Sequence, residues 1–359
     1  MQSFIQSVIN KYEVSPVRLL HILREVQAEF QHISPEAIEL IASGLNIPRT
    51  QIISVVEFYN FLHLIPRGKY DILISDSITD HMLGKQNLMN YFASQLNVTI
   101  GDVRPDGLVN LGSTSCTGMC DQGPAGLVNG YALTHLDRPR IDAITQLINK
   151  EIPIEQWPAE FFAVADNIYK AGLLLQTPIE QGESLKARYQ RGLTETLSEI
   201  DISGLRGRGG AGFKTAMKWR FCSEEAETER FVVCNADEGE PGTFKDRVLL
   251  NSYAHQVFEG MTVCASIIGA EQGFLYLRGE YLHLYEKLQN ILVERREAGL
   301  LGTNILAQGL NFDIEIRLGL GAYICGEESA LIESLEGKRG IPRNRPPYPV
   351  SQGYLNKPT

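Results

Sequence analysis

The sequence predicts an α/β chain in parts: a helical bundle over residues 1–65, an α/β unit over 66–150, a connector over 151–185 and a second α/β unit over 186–359. Three observations carry this. Helix-start signals and helical spacing of apolar residues fill the first part. At Tyr70 the pattern switches to short apolar runs separated by turn signals. From about residue 186 glycine density rises and strand patterns alternate with helical ones.

In the bundle, Ser15-Pro16 and Ser34-Pro35-Glu36 pair an N-cap hydroxyl with a proline suited to the first helical turn. Val17, Leu20, Ile22, Val26 and Phe30 approximate one helix face, and a further apolar run covers Ile52 to Phe61. In the next unit Tyr70–Ile74 predicts a strand and His81–Leu96 a helix. Leu108–Leu111 and Gly126–Asn129 predict strands, with Asn129-Gly130 as a hairpin turn, and Ile141–Lys150 predicts a closing helix. That order suggests a thioredoxin-like unit. Pro153, Pro158 and Pro178 mark the connector. In the last unit strands are expected at Phe231–Cys234, Gly273–Leu277 and Phe312–Arg317, with helices at Leu193–Ile200 and Tyr281–Ala298, giving a mainly parallel, Rossmann-like sheet.

The 359 residues are 43% apolar, enough for more than one core. A net charge of −10 argues against an overall nucleic-acid footprint. Met1-Gln2-Ser3-Phe4-Ile5 lacks the basic-then-apolar order of a signal peptide, and no long apolar run suits a membrane, so a cytoplasmic location is expected. Six cysteines are too few for a disulfide scaffold at this length.

Two loops carry the chemistry. Residues 204–212 contain five glycines, and Arg206 and Arg208 sit among them. Glycines there free backbone amides to approach an anion, and a helix start behind them adds its dipole. Gly207, Gly209 and Gly212 fit G-x-G-x-x-G, but a helix rather than a strand is expected before it, so a standard dinucleotide fold is not the reading. Lys218 places a cation nearby. Downstream, Asn235-Ala236-Asp237-Glu238-Gly239-Glu240-Pro241-Gly242 forms an acidic, glycine-punctuated loop. Separately, Cys116 and Cys120 place two thiols four residues apart after a predicted strand.

In order, the strings 204–213, Lys218-Trp219, 235–247, 321–328 and 336–339 resemble the flavin- and NADH-binding subunit of respiratory complex I and its relatives. The likeness runs from about residue 200 onward. Residues 1–150 resemble the small thioredoxin-like subunit of the same complex. Fused on one chain, the two most closely resemble the diaphorase subunit of soluble NAD-reducing hydrogenases, with NAD-dependent formate dehydrogenase near by.

The resemblance implies an NAD-dependent oxidoreductase. Hydride passes between NAD(H) and FMN, then electrons pass onward to iron–sulfur clusters of a hetero-oligomeric complex holding hydrogenase or formate dehydrogenase subunits. It places FMN against Gly207, Arg208, Gly209, Gly210, Gly212 and Lys218, with Asn235, Asp237 and Glu238 on its ribityl and ring edges. Tyr323, Gly326 and Glu327 would close the other side. NADH would lie on Phe213 and Phe221, with Tyr348 where the family has phenylalanine and with Glu240 and Glu328 positioning it. No side chain is required as a general acid.

Three departures stand out. Of the four [2Fe–2S] ligand positions, Cys116 and Cys120 match, while Ser75 and Asp80 replace the first two cysteines. Either a cluster sits on that mixed Ser/Asp/Cys/Cys set or the unit is kept for packing and docking; His81, beside Asp80, reads as a surface histidine, with a substitute ligand as its alternative. Lys214 stands where the family has proline. The family's asparagine pair and [4Fe–4S] cysteine motif are expected beyond Thr359, so the chain reads as a C-terminally truncated flavoprotein, inactive toward the natural acceptor, or as an assembly module.

Overall fold

The computed structural model describes residues 1–177 and 179–359; Pro178 of the connector lies outside the described residues. Helices α1 (Gln2–Lys11), α2 (Leu19–Phe30), α3 (Pro35–Leu45) and α4 (Arg49–Phe58) open the chain. Ser34 caps α3 as its sequence predicts, accepting the Ala37 amide at 3.1 Å, and Asn46 closes the helix in a left-handed conformation. Ser15-Pro16 starts a 3-10 turn that runs into α2.

The first sheet has strand order β2-β1-β3-β4, with β1 (Tyr70–Ser75), β2 (Val109–Thr114), β3 (Gly126–Val128) and β4 (Tyr131–Leu133). β1 and β2 are parallel, and β3 and β4 are joined through Asn129 (φ 48°) and Gly130 (φ 84°), the turn expected of that dipeptide. The single helix expected over 81–96 is two: α5 (Ile78–Met82) and α6 (Lys85–Leu96), divided where Gly84 takes a left-handed conformation. α7 (Arg138–Asn149) starts at Asp137, whose carboxylate accepts the Arg140 amide at 2.8 Å. The connector is partly core: Trp157 stacks on Tyr70 at 5.9 Å and its indole N–H donates to the Ile152 carbonyl at 2.9 Å.

Helices α8 (Gly172–Gln176), α9 (Glu183–Arg191) and α10 (Leu193–Ile202) lead to α11 (Thr215–Glu224), which follows the glycine loop. The second sheet has order β5-β6-β8-β7: β5 (Phe231–Ala236), β6 (Gln272–Leu277) and β8 (Leu310–Leu318) parallel, with β7 (Gly302–Ile305) antiparallel at the edge. Between its strands lie α12 (Lys245–Ser252), α13 (Ala254–Ile268) and α14 (Leu282–Glu297); α15 (Glu328–Leu335) and α16 (Pro349–Gln352) follow. α13 has no sequence signature of an amphipathic helix because it is wrapped on nearly all sides, with Phe258 and Ala265 fully buried.

A parallel sheet must be covered on both faces. Here α13 and α14 cover one face. The N-terminal bundle covers much of the other: Phe231, Phe274 and Tyr276 of the sheet share a core with Leu23, Val26, Val55 and Tyr59. Tyr354 packs edge-on against both Phe231 and Phe274, at 4.9 and 5.0 Å. Met119, Leu127 and Ala132 of the first α/β unit join the core on the opposite face, beside Tyr281 and Leu284. The site loops thus spring from a sheet clamped on both sides.

Gly337, just past α15, reports on this clamp. Its φ is +78°, and a methyl group there would lie 2.5 Å from the Pro16 carbonyl oxygen and 3.0 Å from that of Val17. Gly299 has a similar φ, +66°, with nothing within 4 Å of such a methyl. Gly337→Ala is therefore expected to lower stability by about 2–4 kcal/mol, against about 1 kcal/mol for Gly299→Ala, measured as shifts of the urea midpoint.

Candidate functional site

The glycine loop is pinned at its ends and open in the middle. Gly207 N–H donates to the Phe213 carbonyl at 3.0 Å, Thr215 N–H to that of Leu205 at 3.0 Å, and Arg206 to that of Gly212 at 2.9 Å. A methyl group at Gly209, Gly210 or Gly212 would meet no protein atom within 4 Å. Protein packing does not demand glycine at 209 or 210; open space for an incoming group gives a reason. Arg208 is exposed on the same loop. α11 begins directly afterwards with no side-chain cap on its first amides, so helix dipole and loop amides face one region. α10 precedes the loop, as the sequence predicts, which sets the arrangement apart from a strand–loop–helix nucleotide fold.

Lys218, one turn into α11, pairs with Glu328 at 2.9 Å; the two side chains are 45% and 36% exposed. A pair so accessible contributes roughly 0–1 kcal/mol, so a phosphate can displace it at little cost. Lys214 is tied to Asp201 at 3.0 Å. A cavity of about 210 Å³ opens beside Lys218, Asn235 and Glu328 and is floored by Cys222, Val232 and Cys264.

Across this cavity lies the C-terminal end of β5. Asn235 donates to the Gly326 carbonyl at 2.8 Å. Gly326 sits so close to Asp237 that an added methyl would lie 3.0 Å from the Asp237 carbonyl oxygen. One carboxylate oxygen of Asp237, Oδ2, is buried and has no hydrogen-bond partner. Burial, then the neighbouring Glu280, push its pKa up to about 7, with Arg278 acting against them. Tyr323 lies on Gly239 and donates to Glu240 Oε2 at 3.0 Å. Phe213 and Phe221 are half exposed, with ring centroids 6.3 Å apart. Tyr348 is exposed at the start of α16.

Two predicted contacts are used otherwise. Glu238 is buried, and its carboxylate accepts the Asp246 amide at 3.0 Å, the Arg247 amide at 3.3 Å and the Tyr281 hydroxyl at 3.0 Å. It is the anionic cap of α12. Glu327 caps α15, accepting the Ser329 and Ala330 amides at 3.0 and 3.1 Å, while Arg345 approaches its other oxygen at 3.3 Å. The sequence holds little sign of two further residues. Arg278 donates to the carbonyls of Glu238 and Cys116 and to Glu280, and Arg247 grips Asp121 through two bonds of 3.0 and 2.9 Å. Their only trace is an arginine at the end of an apolar strand and another amid an acidic run.

The cysteine pair sits behind this junction. Cys116 and Cys120 sulfurs are 3.2 Å apart. The hydrogen bond between them favours the Cys120 thiolate and disfavours that of Cys116. Asp80, 1% exposed, is saturated: Oδ2 accepts from Ser75 at 2.6 Å and Ser77 at 2.7 Å, and Oδ1 from the Ala125 amide at 2.9 Å. Both replaced positions are locked into this hydrogen-bonded cage, so the residues present do not fit a [2Fe–2S] ligand set. His81 instead pairs with Asp76 at 2.8 Å. Among the described residues no group of three or more His, Cys, Asp or Glu is placed to hold a metal ion, and no helix is long and apolar enough to cross a membrane.

A glycine loop ahead of a helix start, a polar strand end and a thioredoxin-like unit thus occur together in one chain. Residues 200–356 match the Nuo51 FMN-binding domain and residues 5–149 the thioredoxin-like [2Fe-2S] ferredoxin. The chain is related to the diaphorase subunit of NAD-reducing hydrogenases and to the flavoprotein of complex I. It is 40% identical over 381 residues to the alpha subunit of the NAD-reducing hydrogenase HoxS of Cupriavidus necator, aligning over 100% of its own length and 62% of that protein's. It is 50% identical over 165 residues to a component of the NADH-quinone oxidoreductase of Rhizobium meliloti, covering 46% of this chain and 39% of that one. The structure of an NAD+-reducing [NiFe]-hydrogenase in the H2-reduced state superimposes with a TM-score of 0.88 at 42% identity, over 96% of this chain and 58% of that one. The chain thus spans less than two thirds of these relatives' lengths.

The raised Asp237 pKa has a definite sign. An unfolded aspartate ionises near 3.8 and the folded one near 7. Folding therefore favours the neutral acid, and this group costs increasing stability as pH rises from about 4 to 7, then no more. Asp237→Asn is expected to stabilise the ligand-free chain by a few kcal/mol at pH 8 and by almost nothing below pH 4, measured by urea unfolding across that range.

Proposed function

We propose that the chain is the flavoprotein module of an NAD-linked redox complex and binds FMN and NAD(H) over the β5 edge. The flavin, when bound, supplies two-electron exchange with nicotinamide and one-electron exchange with iron–sulfur centres. The protein binds, orients and shields. Amides of residues 207–212 and the α11 start receive the phosphate, with Arg208 and Lys218 neutralising it. Asn235 and Asp237 present polar groups to the flavin's ribityl and ring edges, and Gly326, packed on Asp237, closes the other side. Phe213, Phe221 and Tyr348 offer faces for the dinucleotide rings. Glu240, oriented by Tyr323, accepts from ribose hydroxyls and repels a 2′-phosphate, favouring NAD over NADP. Glu328, once Lys218 turns to phosphate, is free to position NADH. Glu238 and Glu327 act through the backbone they cap.

The observation that carries this reading is the glycine loop's open middle ahead of α11, whose Lys218 shares a cavity with Asn235 and Glu328. Similarity along the whole chain to a component of a hydrogenase favours a cytoplasmic NAD-reducing hydrogenase, with its iron–sulfur and hydrogenase subunits as partners. A complex I or formate dehydrogenase setting is the alternative. The Ser75–Asp80 cage favours a second reading, an assembly module without electron transfer.

Adding FMN to the purified chain, then NADH without oxygen, separates the two. The redox reading expects flavin fluorescence to fall on binding and NADH to bleach the visible flavin band. Lys218→Ala should weaken FMN binding about 10-fold or more. A chain that stays colourless and leaves NADH unoxidised supports the assembly module instead.

A further inference from the structure

The cysteine loop touches the acidic loop directly. Gly242 N–H, two residues after Glu240, donates to Cys120 Sγ at 3.2 Å. Arg278 binds the carbonyls of both Cys116 and Glu238, and Arg247 binds the Gly118 carbonyl at 2.8 Å from the first turn of α12. Gly118, at φ +75°, lies against the Tyr281 ring, whose hydroxyl serves Glu238. Cys116 is buried and fixed; Cys120 is partly exposed and faces the Gly242 turn. The sulfurs are 3.2 Å apart, and the two remaining ligand positions are consumed by the Ser75–Asp80 cage.

We propose that Cys116 and Cys120 form a two-electron dithiol–disulfide couple where related domains hold a cluster, and that its oxidation frees the Gly242 turn. A disulfide needs about 2.05 Å between sulfurs, so closure requires a movement of about 1 Å. Cys116 is buried and its sulfur accepts the Gly118 amide at 3.4 Å, so the partly exposed Cys120 side chain makes that move, and leaving its present position strains its bond from the Gly242 amide. The oxidant is a disulfide of the glutathione or thioredoxin type. The exposed Cys120 sulfur attacks it, forming a mixed disulfide and releasing one thiol. The Cys116 sulfur then attacks Cys120, forming the internal bond and releasing a second thiol. Two protein thiols lose two hydrogens, and the incoming disulfide gains them. Freed from Cys120, the turn carrying Glu240 loses one of its anchors. The consequence for dinucleotide binding rests on the function proposed above; the loosening of the turn does not.

The test uses the whole chain, first incubated with ferrous iron and sulfide, then desalted and divided between dithiothreitol and glutathione disulfide. Peptide masses and hydrogen exchange are read on both halves. The proposal expects no retained iron and, after oxidation, a peptide spanning both cysteines lighter by about two mass units. It also expects exchange at the Gly242 amide about 10-fold faster in the oxidised half, as loss of one hydrogen bond implies. Cys116→Ser should show the same exchange in both halves once any mixed disulfide is reduced. Two irons per chain with both thiols protected from alkylation would overturn the proposal, as would thiols that never join or a joined pair with unchanged exchange. Failure of NADH to bind in either half would count against the proposed function alone.

Discussion

Arg278 is the constraint on which the site depends. It leaves the end of β6 and is 2% exposed. Burial works against its charge, and Glu280 beside it more than offsets that, so the guanidinium stays ionised. Its donors hold the carbonyl of Glu238 from one loop and that of Cys116 from another. Neither carbonyl lies in a strand or helix, and a buried carbonyl without a partner is costly. One side chain thereby fixes the course of the acidic loop and joins it to the thioredoxin-like unit. The same Arg278–Glu280 pair sets the field at Asp237: Glu280 disfavours its ionisation and Arg278 favours it.

The sheet beneath makes this geometry stiff. Three parallel strands buried on both faces leave the loops at their C-terminal ends as the movable parts. The N-terminal bundle contributes to that burial rather than forming a separate core, since Phe231, Phe274 and Tyr276 pack against it. Capping carboxylates hold two helix starts, Glu238 that of α12 and Glu327 that of α15, whose Glu328 lines the cavity.

Much of this was legible in the sequence where the cause is local. Ser34-Pro35 marked a helix start and Asn129-Gly130 a hairpin because cap and turn chemistry act within a few residues. The five glycines of 204–212 marked an irregular loop ahead of a helix for the same reason, and the middle of that loop is open. What was hidden depends on distance. Asp237, Glu238 and Glu240 read alike as a carboxylate run, yet one has a partnerless oxygen, one caps a helix and one meets Tyr323; the folded surroundings decide which. The Ser75 and Asp80 replacements were visible, but not the Ser77 hydroxyl and Ala125 amide that close the cage around them. α13 escaped notice because a helix buried all round has no polar stripe to set its period.

The central claim is that the open glycine loop, Lys218 and the β5 edge form one flavin site. A crystal structure of the chain grown with FMN tests it most directly. The account predicts the phosphate on the amides of 207–212 beside Lys218, with the ring edge against Asp237 and Gly326. Flavin density elsewhere, with the glycine loop and Asp237 untouched, would contradict it.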